Sequence, residues 1–341
     1  MNGTQLLFYI GLIVVSTAVV WKGSLILESA ADKLATYYQL PPIVQGAVIE
    51  AVGSSFPELS TTVVATLIHG EFDLGVSSIV GSAIFNILVI PGLSGLMGKR
   101  LTFDRVLVYK DAQFYITSVT VLLLAFAFSL IYNPVANTRW QGTLNRPIAL
   151  MPIALYGVYL FLQQQDTVEQ QHNQKHEQLS PDIQVGKEWL RLLFSLALIV
   201  AAVEGLVRSA IGLGNVLNTP NFLWGLTIIA AGTSLPDAFV SIRAARKGQG
   251  DVSLANVLGS NIFDLLVAIP VGVLIAGAST VNFAVTAPLM GVLTLATIIL
   301  FTMLRTNLVL SKKECILLLG CYIVFIGWMG LETFGITNWV L

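Results

Sequence analysis

Ala51-Val-Gly-Ser-Ser-Phe-Pro-Glu58 and Ala230-Ala-Gly-Thr-Ser-Leu-Pro-Asp237 stand 179 residues apart, and position by position they are the same motif. A second pair follows in the same order. Gly81-Ser-Ala-Ile-Phe-Asn-Ile-Leu88 returns as Gly259-Ser-Asn-Ile-Phe-Asp-Leu-Leu266, 178 residues later. Apolar composition does not force this agreement, because the matched residues are mostly Gly, Ser, Pro, Asn and acids. Two ordered motifs at nearly one offset mark an internal duplication.

The surroundings of the motifs say what was duplicated. Of the 341 residues, 55% are hydrophobic and only 11% charged, against about 25% charged in soluble chains. The 18 Lys and Arg against 19 Asp and Glu leave a net charge of −1, which gives no electrostatic reason to bind nucleic acid. The apolar residues fall in blocks that match the ~20 residues a bilayer-spanning helix needs. Ten segments qualify: 5 to 27, 42 to 68, 74 to 97, 108 to 131, 147 to 163, 189 to 216, 222 to 244, 252 to 277, 283 to 304 and 314 to 331. The first lacks the basic start and small-residue cleavage site of a signal peptide and is expected to be retained. The chain therefore divides into a first five-helix repeat (1–163), a short polar linker (164–187) and a second five-helix repeat (188–341), an all-α integral membrane fold. An odd number of spans per half makes the second copy enter the membrane from the opposite side. The repeat is inverted, as in many secondary transporters.

The basic residues set the expected orientation. With the linker in the cytoplasm, Lys22, Lys33, Lys99, Arg100, Arg105, Lys110, Lys175, Lys187, Arg191, Arg243, Arg246, Lys247, Arg305, Lys312 and Lys313 share its side, and only Arg139, Arg146 and Arg208 oppose it. The positive-inside rule then places both termini outside the cytoplasm, in a cell inner or plasma membrane. Cys315 and Cys321 lie six apart on the last span, point to different sides and read as packing thiols.

Most acids fall in loops or at helix ends, and Glu28, Glu204 and Glu332 can reach an interface. Glu50, Glu58, Asp237 and Asp264 remain at membrane depth, where each costs ~2.5–3.5 kcal/mol on insertion scales. Three of these four belong to the repeated motifs. Pro57 and Pro236 lack an N–H, so each first-motif span is expected to break into two half-helices. Ser and Thr would then cap the second half, with Glu58 and Asp237 in its first turn, and carbonyls around Ala51 and Ala230 would turn to a cation. In the second motif Ser82 and Asn86, like Ser260 and Asp264, are four apart and share a helix face, while Gly81 and Gly259 allow close approach to a neighbour. Carboxylates, an amide, hydroxyls and carbonyls without histidine or thiol suit hard cations, with roughly 6–8 oxygens for Ca²⁺.

These paired motifs resemble the two α-repeats of the cation/calcium antiporter superfamily, specifically its sodium/calcium exchangers. The resemblance spans the chain in helix count and halves and is most specific over 46–95 and 225–272. It implies a ten-helix fold with clustered ion sites midway through the membrane and exchange of Na⁺ for Ca²⁺ by alternating access. Carried over by motif position, Glu58 and Asp237 would be the shared Ca²⁺ and Na⁺ ligands, and Ser54 and Thr233 would offer backbone oxygen. Ser55, Ser234, Ser82, Ser260, Asn86, Asp264, Ala51 and Ala230 would complete the cluster, while helices 1 and 6 slide past the rest. No cofactor and no obligate protein partner is implied beyond the ions and the lipid bilayer. Asp237, Gly-Ser-Ala at 81–83 and Asp264 are closer to the potassium-dependent branch, so K⁺ cotransport is a further expectation. Glu50, whose repeat position is Ile229, has no partner and keeps a Ca²⁺/H⁺ antiporter as the alternative, although the motifs of that branch are absent.

Other classes fit less well. A hydrolase would need a nucleophile and base or a metal motif, yet His69, His172 and His176 lie at a helix end and in the linker. A channel would not need two matched proline-interrupted spans, and an organic-solute symporter would need a roomier site. Some 25 linker residues leave no room for the large cytoplasmic Ca²⁺-sensing domain of the family's animal members.

Overall fold

The computed structural model describes residues 3–38, 51–98, 101–171, 183–333 and 336–337. Among them ten helices follow the ten apolar segments one for one. They are α1 (Gly3–Tyr37), α2 (Ala51–His69), α3 (Phe72–Met97), α4 (Arg105–Tyr132), α5 (Arg146–Gln171), α6 (Val185–Leu217), α7 (Asn221–Arg246), α8 (Gly250–Ala276), α9 (Phe283–Asn307) and α10 (Lys312–Thr333). Nine are long and apolar enough to cross a membrane. The tenth, α2, is described from Ala51, and Glu50 lies outside the described residues. Helices α5 and α6 run into the polar linker from both sides, and His172 and His176 also lie outside the described residues.

The distribution of apolar side chains is that of a chain solvated by lipid. Leu7, Phe8, Val14 and Val15 on α1, Leu190, Leu193 and Phe194 on α6, and Ile323 and Val324 on α10 all face outward. Such a belt would be untenable in water and is at home in hydrocarbon. The exception is α3, whose apolar stretch is buried on every side together with its polar Ser82 and Asn86, so it forms the axis on which α2, α7, α9 and α10 pack.

Two separate cores result. The larger joins α3, α4 and α5 with α7, α8, α9 and α10 through side chains such as Ile84, Leu88, Phe126, Leu266 and Leu293. The smaller consists of Val20 and Leu27 of α1 and Ile199, Val203 and Leu206 of α6, set against Val64, Leu74 and Ile229. Helices α1 and α6 pack on each other far more extensively than on anything else. Because lipid gives apolar helices no reason to associate, close approach at small residues carries this pairing, as where the Tyr9 ring lies against Gly212. The repeat symmetry is visible here. Adding or subtracting 179 turns Tyr9 and Gly212 into Glu188 and Lys33, which form an ion pair at 3.2 Å at the other end of the same interface.

The expected break at the prolines is not observed. Helices α2 and α7 both continue through Pro57 and Pro236. A proline removes one hydrogen bond, and inside a membrane no water is present to replace the others, so the rest of the helix holds. Helix α7 instead widens about two turns before Pro236 into a π turn, Gly225–Ile229, where the Ala230 N–H reaches Gly225 O. A second π turn, Asp264–Ala268, begins at the site residue Asp264 in α8. With no half-helix N-terminus beside them, Glu58 and Asp237 receive no terminal helix dipole, and their charge must be met by other groups.

Hydropathy gave no hint of strands, yet β1 (Gln141–Asn145) and β2 (Ala278–Asn282) pair antiparallel, with Gln141 opposite Asn282 and Thr143 opposite Thr280. This ribbon ties the two halves together and satisfies backbone groups that would otherwise be exposed as the chain re-enters the membrane.

Candidate cation site

Helices α2, α3, α7 and α8 carry the four motifs, and their polar residues meet in the interior. Ser55, Glu58, Ser82, Asn86, Thr233, Ser234, Asp237, Ser260 and Asp264 are each at most 2% exposed. Ser54 is half-buried and engaged with another group, and Ala51 is the first described residue of α2. Gly81 permits the approach of α3 to α7: a Cβ there would press on the Leu226 carbonyl and stand 2.8 Å from Ala230 Cβ. Gly259 was expected to do the same, but a Cβ there meets no described atom within 4 Å. The two motifs are therefore not packed alike.

Two hydroxyl pairs display the inverted repeat. Ser82 Oγ lies 2.7 Å from Ser234 Oγ, and Ser55 Oγ lies 2.9 Å from Ser260 Oγ. The repeat offsets convert the first pair into the second. Ser260 also donates to Asp237 Oδ2 at 2.7 Å, which uses its only proton, so Ser55 must be the donor in the second pair. The Asn86 amide nitrogen donates to Asp237 Oδ2 at 3.4 Å and to Asn261 Oδ1 at 3.0 Å.

The acceptors left over define the chemistry. Both carboxylate oxygens of Glu58 and of Asp264, Oδ1 of Asp237 and Oδ1 of Asn86 are buried without a hydrogen-bond donor. The hydroxyls beside Glu58 and Asp264 belong to Thr233 and Ser55. They are engaged elsewhere, Thr233 with Ile229 O at 3.1 Å and Ala230 O at 3.3 Å, and Ser55 with Ser260. Glu58, Asp237 and Asp264 lie within electrostatic range of one another. A buried acceptor without a donor costs on the order of 1–3 kcal/mol, more when charged. Six on one set of side chains form an unbalanced negative centre that a cation would neutralise. Among the described residues no three His, Cys, Asp or Glu side chains converge on one metal point, so the carboxylates would coordinate together with amide, hydroxyl and carbonyl oxygens. That donor set is all hard oxygen.

The sequence reading missed several groups. Asn261 and Tyr115, both wholly buried, brace Asn86. Asn256 Nδ2 reaches Asp237 O at 3.5 Å and Ser241 Oγ at 3.1 Å. Glu28 of α1, sorted by position as an interface acid, acts electrostatically on Asp237 and Arg243. Asn261 was legible as the one polar departure inside the second motif, where the first has Ala83. Tyr115 had no local signal, being one aromatic in an apolar span.

Comparison with known proteins agrees with this architecture. The family model described as "Sodium/calcium exchanger protein" matches residues 8–164 and 187–331. The sodium/calcium exchanger MaX1 of Methanosarcina acetivorans is 25% identical over 340 residues, covering 89% of this chain and 93% of that protein. Among solved structures, the sodium-calcium exchanger NCX_Mj superposes with a TM-score of 0.61 at 24% identity, covering 94% of this chain and 98% of that one. The H⁺/Ca²⁺ exchanger CAX superposes with a TM-score of 0.69 at 17% identity, covering 93% and 81%. At those identities the two structures speak for the fold, a multi-pass membrane exchanger fold, while the family model covers nearly the whole chain. The chain thus belongs to the sodium/calcium exchanger family of ion transporters.

Proposed function

We propose that the protein exchanges Na⁺ for Ca²⁺ by alternating access, with both ions competing for the centre built on Glu58, Asp237, Asn86 and Asp264. The observation that carries this reading is the set of six buried acceptor oxygens without donors. Ser54, Ser55, Ser82, Thr233, Ser234 and Ser260 complete the coordination, while the carbonyls near Ala51 and Ala230, kept in the ladders of unbroken helices, would join only when those turns open. Buried carboxylates balance one Ca²⁺ or more than one Na⁺, and simultaneous occupation would leave uncompensated positive charge in a medium of low dielectric. Without any cation the clustered carboxylates repel, so the protein resists passing through an occluded state unless loaded. Movement only when loaded is what coupling requires. The paired α1 and α6, which pack on each other more extensively than on any other helix, are the natural sliding unit, and the excess of basic residues beside the linker favours an orientation with both termini outside the cytoplasm.

Calcium flux into reconstituted vesicles under separately imposed Na⁺, K⁺ and H⁺ gradients tests the reading. A Na⁺ gradient should drive Ca²⁺ movement, and Glu58→Gln and Asp237→Asn should each abolish it. Flux driven by a pH gradient alone in Na⁺-free vesicles would replace Na⁺ by H⁺ as the coupling ion. Asp237, Gly81-Ser-Ala83 and Asp264 favour K⁺ cotransport as an added feature, and replacing K⁺ with choline would then lower the flux.

A further inference from the structure

We propose that Asn261, backed by Tyr115, is a positioning residue that holds the Asn86 amide with its nitrogen committed and its oxygen available to a cation. The inference rests on the site reading above and adds to it a residue outside the expected ligand set.

An amide is nearly the same shape either way round, but the two orientations are opposite in charge. With the oxygen toward the cluster, Asn86 is a ligand. With the nitrogen there, it presents two N–H groups that a cation cannot approach. Asp237 Oδ2 alone is a weak guide, since its contact with Asn86 Nδ2 is long at 3.4 Å, and a bound cation would draw that carboxylate toward itself. Asn261 Oδ1 makes the shorter contact, 3.0 Å, and needs no change when a cation arrives.

Asn261 can act as a fixed acceptor because its own amide has only one workable orientation. Its Nδ2 donates to Ala83 O at 3.3 Å and to Tyr115 OH at 3.1 Å, which leaves Oδ1 to face Asn86. All of these groups are wholly buried, so water offers none of them an alternative partner. Tyr115 comes from α4, so the brace runs from α4 through α8 to α3 and ends at Asp237 on α7.

The inverted repeat explains why the brace exists once. Ala83 and Asn261 are repeat mates, 178 residues apart, and Asn261 donates to the carbonyl of its own counterpart. The mate of Asn86 is Asp264. A carboxylate offers acceptor oxygens whichever way it turns, so it needs no orienting neighbour, and position 83 can be alanine. The amide needs one, and its half-site has Asn261.

The test measures Ca²⁺ uptake against Ca²⁺ concentration at a fixed Na⁺ gradient, in vesicles containing wild type, Asn261→Ala, Tyr115→Phe, Asn86→Ala and the double variant Asn86→Ala/Asn261→Ala. Loss of one orienting hydrogen bond should raise the KM for Ca²⁺ roughly three- to tenfold in Asn261→Ala, with the maximal rate within about twofold of wild type. Tyr115→Phe keeps the ring volume and should raise KM by a smaller factor, so it carries the test if Asn261→Ala fails to fold. The decisive readout is non-additivity: in the Asn86→Ala background Asn261→Ala should not raise KM further. An unchanged KM in both single variants, or factors that multiply in the double variant, would overturn the proposal. An Asn86→Ala protein with wild-type KM would instead sink the site reading itself, and the positioning role with it.

Discussion

Replacing Gly81 by alanine is the smallest change that tests how the site is assembled. Gly81 lies where α3 meets the π turn of α7, and its added Cβ would press on the Leu226 carbonyl and stand 2.8 Å from Ala230 Cβ. Real Cβ atoms essentially never come within 3.0 Å of a neighbour. The obstacle is mainly backbone, so no side chain can rotate away and α3 and α7 must separate. Alanine gains about 1 kcal/mol of helix propensity over glycine. Against this stand about 1–3 kcal/mol of overpacking and the stretching of the neighbouring Ser82–Ser234 contact, now 2.7 Å, worth about 1 kcal/mol. The net is a loss of about 1–3 kcal/mol, or several degrees in Tm for a chain of this size. The assay is thermal unfolding of the detergent-purified protein followed by circular dichroism, alongside Ca²⁺ flux, with Gly291→Ala as control because a Cβ there meets nothing within 4 Å. Gly81→Ala should unfold several degrees lower and transport poorly, while the control is unchanged or slightly more stable. Equal melting of the two, with normal flux in Gly81→Ala, would refute the claim that close contact of α3 with the π turn holds the site together.

Further outcomes follow from single contacts. Cys315 is wholly buried and Cys321 is partly buried at the middle of the α10 span, so a charged maleimide should leave both thiols unlabelled in vesicles and modify both after denaturation, as mass spectrometry of the labelled peptides would reveal. Ser260→Ala removes the 2.7 Å donor to Asp237 Oδ2 and the acceptor of the Ser55 hydroxyl; Ca²⁺ KM should rise more than in Ser241→Ala, and equal values would contradict the placement. His69 Nε2 meets Glu204 Oε2 at 2.9 Å, linking α2 to α6. If α6 slides, His69→Gln should change the turnover rate while leaving the Ca²⁺ KM near wild type. Lys33 is 43% exposed where it pairs with Glu188, so Lys33→Met should shift Tm only slightly, and the shift should fade in ~1 M salt.

The legible part of this protein is what the chain repeats or accumulates locally. Span length, the duplication and its inversion, and the acids that survive at membrane depth are properties of contiguous residues, because bilayer thickness and the cost of burying charge act on each segment by itself. Glu58, Asp237 and Asp264 could therefore be picked out as candidates before any helix was packed, and Asn86 with them as the repeat mate of Asp264. The proline reading failed for a related reason: Pro57 and Pro236 signal a lost hydrogen bond, but whether a helix ends there depends on whether water can replace its neighbours, and here it cannot.

Tertiary structure decided what passes between helices. That Ser55 donates to Ser260 and Ser260 to Asp237, that Asn86 turns its nitrogen to Asn261, and that Tyr115 closes the brace from α4 all depend on partners at least 23 residues away in sequence. So does the β ribbon between Gln141–Asn145 and Ala278–Asn282, and so does the packing of α1 and α6 with Val64, Leu74 and Ile229 in a second core. Sequence by itself named the candidate oxygens; only packing could determine which of them already have protons pointed at them and which have none, because a hydrogen bond is settled by distance and direction in space.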